Sequence, residues 1–157
     1  MFQRAAFAEN SHAQSHLGFM YSRGFGVPAV NNTAAFEWNK ESAENGNATG
    51  QVNLAYLYKE GKGVKQSDKQ AVKWYHEAAL QENGHAQNNL AFMYSKGRGV
   101  PQSYANAIFW YDKAVMNGYK QAKGNLKSVQ EKLAQECQIK SWMETKPSGK
   151  KVQTCLL

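Results

Sequence analysis

The segment Gly97-Arg98-Gly99 is a first candidate for chemistry, because glycine-rich loops can hold a phosphate with their backbone amides. A phosphate loop follows a strand and opens a helix, whose free N-terminal amides bind the anion. Here the glycines follow an amphipathic segment, and similar pairs recur as Gly24-Phe25-Gly26 and Gly61-Lys62-Gly63. Constant glycines around a changing middle residue favour helix termination, since glycine adopts the left-handed conformation at little cost. We therefore predict that each pair ends a helix and that Arg98 makes surface contacts only.

Two histidines one helical turn apart, His12 and His16, have a spacing that could hold a metal ion. No third ligand lies nearby in the sequence, and the residues equivalent to His16 further along the chain are Asn53 and Asn89. We therefore expect no metal and no cofactor.

Catalytic groups are equally sparse. Glu41 and Glu77 occupy equivalent positions of a repeated pattern, where Lys113 stands in a third copy, so they indicate a solvated face rather than an acid–base pair. No serine, histidine and acid arrangement is suggested by spacing. We expect that the protein is not an enzyme.

Three aromatic residues, Phe19, Tyr56 and Phe92, recur opposite the apolar stripe of their segments if those segments are helical. Amide and other polar side chains flank them, and an aromatic row with amide neighbours suits an extended peptide. The alternative is that the rings pack on neighbouring helices and are structural. The candidate partner-binding residues are Phe19, Tyr56, Phe92, His16, Asn53, Asn89, Lys59 and Ser95.

These positions belong to an internal repeat. Three similar segments begin at Leu17, Leu54 and Leu90, and the tryptophans that follow them lie 36 residues apart, at Trp38, Trp74 and Trp110. Each unit shows two helical stripes of apolar residues. One helix pair cannot bury a tryptophan and a tyrosine alone, so the units must stack on one another.

The pattern A-Q-x-x-L-A/G-x-x-Y-x-x-G-x-G-V, followed by A-x-x-W-Y-x-x-A, resembles Sel1-like repeats, which are relatives of tetratricopeptide repeats. The resemblance covers three units, 11–46, 47–82 and 83–118. It implies an all-α fold, a right-handed α/α superhelical solenoid of seven or eight helices in units of about 36 residues.

The sequence on either side of the three units continues the pattern only in part. Residues 1–10 match the end of a unit and are interpreted as the remnant of a preceding second helix, which would make the chain a fragment of a longer array or a truncated one. Residues 119–142 are predicted to form a capping helix or half repeat, and 143–157 a basic flexible tail.

Two departures from the repeat pattern stand out. Asn39 occupies the position of Tyr75 and Tyr111, and Glu82 replaces a glycine, so we expect the helix before Glu82 to end differently.

The resemblance also implies a function, that of a bacterial-type scaffold or adaptor whose concave groove binds a protein or peptide. A narrower possibility within that class is a toxin-neutralising immunity protein. A possibility from a different class is a β-lactam-binding or β-lactam-hydrolysing enzyme, for which the chain shows no supporting motif.

The charge of the chain is concentrated at its C-terminal end. The 157 residues carry a net charge of +7, and residues 119–157 hold eight lysines against three glutamates. A basic tail can contact nucleic acid, anionic lipid or acidic protein, or it can simply be solvated. We expect protein partners, and neither nucleic acid nor a small-molecule substrate.

Localisation is left open by the sequence. No transmembrane segment and no signal peptide is present in the printed sequence, which fits the cytoplasm as written, or the periplasm or exterior if an upstream signal was removed. Cys137 and Cys155 are compatible with a disulfide in an oxidising compartment or with two thiols in the cytoplasm.

Overall fold

The structure, a computed structural model, describes residues 10–144, which form seven α-helices and no strand. Each helix packs against its neighbours in sequence, and α1 also contacts α3, so the all-α solenoid expected from the sequence is confirmed. None of the helices in the described range is long and apolar enough to cross a membrane. The helices are α1 Ser11–Arg23, α2 Asn32–Glu44, α3 Ala48–Glu60, α4 Asp68–Leu80, α5 Gly84–Lys96, α6 Tyr104–Met116 and α7 Ala122–Glu144.

The first helix of each repeat (α1, α3 and α5) begins after an asparagine whose side chain accepts hydrogen bonds from the free amides of the first turn. The capping residues are Asn10, Asn47 and Asn83. The second helices (α2, α4 and α6) are capped in the same manner by Asn31, Ser67 and Ser103. Local capping thus fixes where each helix starts.

Glycine ends each first helix, as predicted. Gly24, Gly61 and Gly97 adopt left-handed backbone angles, with φ of 73°, 67° and 64°. The second glycine of the later pairs has a separate reason: a Cβ on Gly63 or Gly99 would collide with the backbone carbonyl at the start of the preceding repeat's second helix. The loops therefore lie directly against the previous repeat.

Arg98 makes a specific contact between repeats, at a partly exposed position. Its Nε and Nη2 donate hydrogen bonds of 2.9 and 2.7 Å to the two carboxylate oxygens of Asp68 at the start of α4. The close approach of Gly99 to Asp68 brings the two side chains together. Arg98 therefore links the third repeat to the second.

The helix before Glu82 ends like its counterparts, contrary to expectation. Glu82 has φ of 60°, close to the 79° of Gly46 and the 82° of Gly118. Packing of the repeat imposes the left-handed conformation at this position even where the residue is not glycine.

The core forms at the junctions between helices, where the conserved spacing of leucine places Leu17, Leu54 and Leu90 with at most 2% of their surface exposed. Small alanines of the second helices allow close approach, and Ala35, Ala71 and Ala107 are fully buried at equivalent positions. Each repeat therefore buries a leucine from its first helix and an alanine from its second helix.

A buried glutamine of each first helix, Gln14, Gln51 or Gln87, joins that helix to the end of its own repeat. The glutamine oxygen accepts a hydrogen bond of 2.8–3.1 Å from Asn45, Gln81 or Asn117, respectively. These amide pairs account for the constant glutamine of the sequence pattern.

Helix α7 packs on α6 through buried Val129 and half-buried Leu126. Cys137, on the same helix, is in a disulfide bond, and Cys155 lies outside the described residues. Residues 1–9 and 145–157, which contain most of the predicted repeat remnant and basic tail, also lie outside them.

Candidate functional site

The three first helices share an open cavity of about 410 Å³, called here the groove. Five of the eight candidate residues line it: Phe19, Asn53, Tyr56, Lys59 and Asn89. The groove is also lined by Ser22 and Val52, which lie on the same helical faces as the candidate rings, and by five residues that the sequence analysis did not place there, namely Arg23, Asn39, Leu57, Tyr75 and His85. The helical periodicity thus brings together residues that are more than 30 positions apart in sequence.

The aromatic row divides into two exposed rings and one packed ring. Phe19 is 43% exposed and Tyr56 40% exposed. Phe92 is less exposed than these two rings and packs against the core clusters on both sides of α5. The structural alternative therefore applies to Phe92, whereas Phe19 and Tyr56 offer apolar surface to the groove.

Cations lie over both exposed rings. The Arg23 guanidinium is 5.9 Å from the centroid of Phe19, and the ammonium groups of Lys59 and Lys62 are 5.5 and 5.0 Å from that of Tyr56. Lys62 also donates a 3.0 Å hydrogen bond to the Tyr56 hydroxyl, and Lys59 pairs with Glu60 at 3.0 Å. The rings hold these positive charges at the groove surface.

Asn39 forms the polar floor of the groove. It is 1% exposed, its Nδ2 donates to the Ala35 carbonyl at 2.8 Å, and its Oδ1 accepts from Asn53 Nδ2 at 3.0 Å. Tyr75 fills the equivalent position one repeat later and is equally buried. Because asparagine is shorter than tyrosine, α1 lies close to α3 at this position: Asn39 packs against Gly18 of α1, and the two first helices are in contact.

The surroundings shift the pKa of two titratable groups at the groove. Burial raises the pKa of the Tyr75 hydroxyl well above its ordinary value, with a further contribution from the Glu60 carboxylate. Burial lowers the pKa of His85, assisted by the positive charge of Lys59, and the ring stacks on Tyr119 at 5.5 Å. The charged forms of both side chains are therefore disfavoured at the groove.

Three candidate residues lie outside the groove lining: Phe92, described above, His16 and Ser95. His16 is exposed but is not part of the lining. Ser95 is only 7% exposed, and its hydroxyl donates to the Phe92 carbonyl at 2.9 Å, so its assignment to an accessible surface is wrong. The prediction considered the spacing of residues on α5 alone, whereas in the structure α6 brings Tyr111 against Ser95.

Residues 10–144 contain no group of three histidine, cysteine, aspartate or glutamate side chains placed to hold a metal ion. His12, one of the two histidines considered for such a site, lies 3.2 Å from the Asn47 side-chain amide.

Of the groove residues that the sequence analysis missed, Asn39 carried a signal, because it interrupts a tyrosine position of the repeat. Arg23 carried none, since the equivalent residues are Glu60 and Lys96 and only the folded helices place it over Phe19. His85 likewise enters the groove only through the stacking of α5 on α3.

Fold and groove together define an α/α repeat solenoid with an open, aromatic and basic inner surface. The sequence profile of the Sel1 repeat matches residues 11–47, 48–83 and 84–119, and the chain belongs to the Sel1-repeat family.

Solved structures of two bacterial proteins are similar. A Sel1 repeat protein from Oxalobacter formigenes superposes with a TM-score of 0.72 at 33% identity, over 76% of this chain and 49% of that one. A protective antigen of uropathogenic Escherichia coli strains with the same repeat fold gives a TM-score of 0.72 at 38% identity, over 74% and 25% of the two chains.

A plant protein is similar over a shorter stretch. HRD3B of Arabidopsis thaliana, an ERAD-associated E3 ubiquitin-protein ligase component, is 40% identical over 55 residues, which are 35% of this chain and 9% of that protein. The chain thus spans less than half the length of each of these three relatives.

Proposed function

We propose that the protein is an adaptor that binds an extended segment of a partner protein in the groove. Sel1-repeat proteins commonly mediate protein–protein interactions, and Sel1-repeat scaffolds are generally non-catalytic. The observation that carries the proposal is the pair of rings, Phe19 and Tyr56, which remain about 40% exposed inside a concave surface.

The groove offers the two kinds of contact that an extended segment requires. The rings of Phe19 and Tyr56 can cover apolar side chains, which is the main source of binding energy in hot spots. The side-chain amides of Asn53 and Asn89, one repeat apart, can donate to and accept from a peptide backbone. A segment that crosses α1, α3 and α5 would use both.

One relative is consistent with binding as the activity. HRD3B is by name a component of an E3 ubiquitin-protein ligase, and this chain resembles a stretch of 55 residues in it. Neutralisation of a toxin would be one form of the same binding, with the toxin segment held in the groove.

The test compares capture of partners by three versions of the full chain immobilised on resin: wild type, Phe19→Ala/Tyr56→Ala and Phe109→Ala. Phe109 is a matched control, because it is 52% exposed but lies on a second helix, α6. Mass spectrometry identifies the captured proteins. We expect wild type and the Phe109 variant to capture the same proteins, and the double variant to capture at least about tenfold less of them, a loss of about 1.4 kcal/mol in binding free energy.

Helical circular dichroism and the melting temperature should stay close to wild type in both variants, since the exposed rings contribute little to the core. Equal capture by all three versions would show that the groove is not the binding surface. A melting temperature that falls only in the double variant would show that the rings are structural.

A further inference from the structure

The charges of the described helices are divided between the two sides of the solenoid. The first helices, α1, α3 and α5, contain three lysine or arginine residues against one glutamate, a net charge of +2. The second helices, α2, α4 and α6, contain four against six, a net charge of −2. The groove side is therefore positive although these six helices together are neutral.

The groove cations keep most of their charge available. Among the residues described, carboxylates pair with two cations, Lys59 and Arg98, and Arg98 lies away from the groove lining. Arg23 and Lys62 instead contact aromatic rings. An aromatic face positions a cation but does not neutralise it, so the cation can still bind an anion.

The positions of these cations match those of the exposed rings. Arg23 covers Phe19, while Lys59 and Lys62 cover Tyr56, so each apolar contact site carries a positive charge at its edge. Glu60 is the carboxylate at this surface and pairs with Lys59. Helix-dipole complementation alone would account for basic residues in a last turn, but Lys62 lies beyond the end of α3.

We propose that the segment bound in the groove is acidic, with aspartate or glutamate side chains against Arg23, Lys59 and Lys62 and apolar side chains on Phe19 and Tyr56. This inference rests on the proposed function and specifies its partner. A segment of alternating acidic and apolar residues has the required complementarity, because charge of opposite sign at an interface selects the partner and speeds its association.

An anionic single-stranded nucleic acid would meet the same charges and could stack its bases on the same rings. The side-chain amides of Asn53 and Asn89 favour a peptide, because its backbone both donates and accepts hydrogen bonds, whereas a phosphodiester only accepts them. The acidic peptide is therefore the better fit.

The experiment selects binders from a random-peptide display library on the full chain, using five versions of it, one of which is Phe19→Ala/Tyr56→Ala. The wild type is compared with Arg23→Gln/Lys59→Gln and with the charge reversal Arg23→Glu/Lys59→Glu. The matched control, Lys40→Gln/Lys73→Gln, removes two exposed charges from second helices. Circular dichroism verifies that each version is folded.

We expect wild type and control to enrich peptides with an excess of aspartate and glutamate, and the charge reversal to enrich lysine and arginine instead. The best wild-type peptide should bind Arg23→Gln/Lys59→Gln about tenfold more weakly, and its affinity should fall as salt rises from about 0.05 to 0.5 M, because exposed charges are screened.

Enrichment of uncharged peptides that still require Phe19 and Tyr56 would overturn the acidic partner and leave the proposed function standing. If none of the enriched peptides requires Phe19 and Tyr56 for binding, both the acidic partner and the proposed function are overturned. If fluorescein-labelled oligothymidylate binds the groove more tightly than the best peptide does, the partner is a nucleic acid and the acidic peptide is overturned.

Discussion

Single residues set the local shape of each repeat where its pattern is broken. Asn39 replaces a tyrosine, lies where α1 and α3 contact each other and donates to the Ala35 carbonyl. Its Nδ2 lies against Gly18, where no Cβ would fit, whereas the later repeats carry Ala55 and Ala91. The first repeat thus has a glycine instead of an alanine on its first helix and a buried asparagine instead of a tyrosine on its second.

Glu82 is a residue whose backbone conformation costs free energy. With φ of 60° it adopts the left-handed region, which disfavours residues with a Cβ by about 1–2 kcal/mol. Glu82→Gly should therefore raise the free energy of unfolding by about 0.5–1 kcal/mol, after the larger chain entropy of glycine in the unfolded state is subtracted. Urea unfolding followed by circular dichroism measures the change.

The control for this substitution is Gly118→Ala at the equivalent position of the third repeat. A Cβ there would meet no atom within 4 Å, so only the backbone conformation is penalised. This variant should lose about 1 kcal/mol. A Glu82→Gly variant no more stable than wild type would contradict the assignment of strain to Glu82.

At the level of elements, the second helices contribute a side chain that fills the space between successive first helices. Tyr75 of α4 packs with Val52 and Ala55 of α3 and with Leu90 of α5. Tyr111 of α6 is equally buried, and burial raises the pKa of both hydroxyls. The neutral phenols are thus part of the packing between repeats.

The protein should lose stability in alkali because of these tyrosines. A hydroxyl whose pKa is raised on folding stabilises fully below the unfolded value of about 10, and that contribution is lost as the pH rises above it. Urea midpoints should fall between about pH 9 and 11, and the fall should be smaller for Tyr75→Phe. An unchanged pH dependence in Tyr75→Phe would contradict the role of Tyr75.

The sequence predicts the elements well because their signals are local. Spacing of leucine and tryptophan, asparagine and serine caps and left-handed glycines all act within one helix and its ends. Contacts between helices are harder to predict from sequence. Arg98 meets Asp68, thirty positions earlier in the chain, and Ser95 of α5 is covered by the neighbouring helix α6. The cations over Phe19 and Tyr56 likewise arise only in the folded array.

For the molecule as a whole, stacking turns one repeated motif into a surface with two different sides. The groove side carries positive charge and exposed rings, and the opposite side carries more acidic residues. Because each first helix supplies an equivalent set of positions, a partner segment can contact several repeats at once. The central claim is therefore about location: binding occurs along α1, α3 and α5.

The most direct test is a titration of the ¹⁵N-labelled full chain with the peptide most enriched in the display selection, followed by amide chemical shifts. The largest changes should fall on α1 and α3, around Phe19 and Tyr56, and extend to Asn89 of α5, with little change around Phe109 on α6. Changes confined to the second helices or to the basic C-terminal segment would contradict the account.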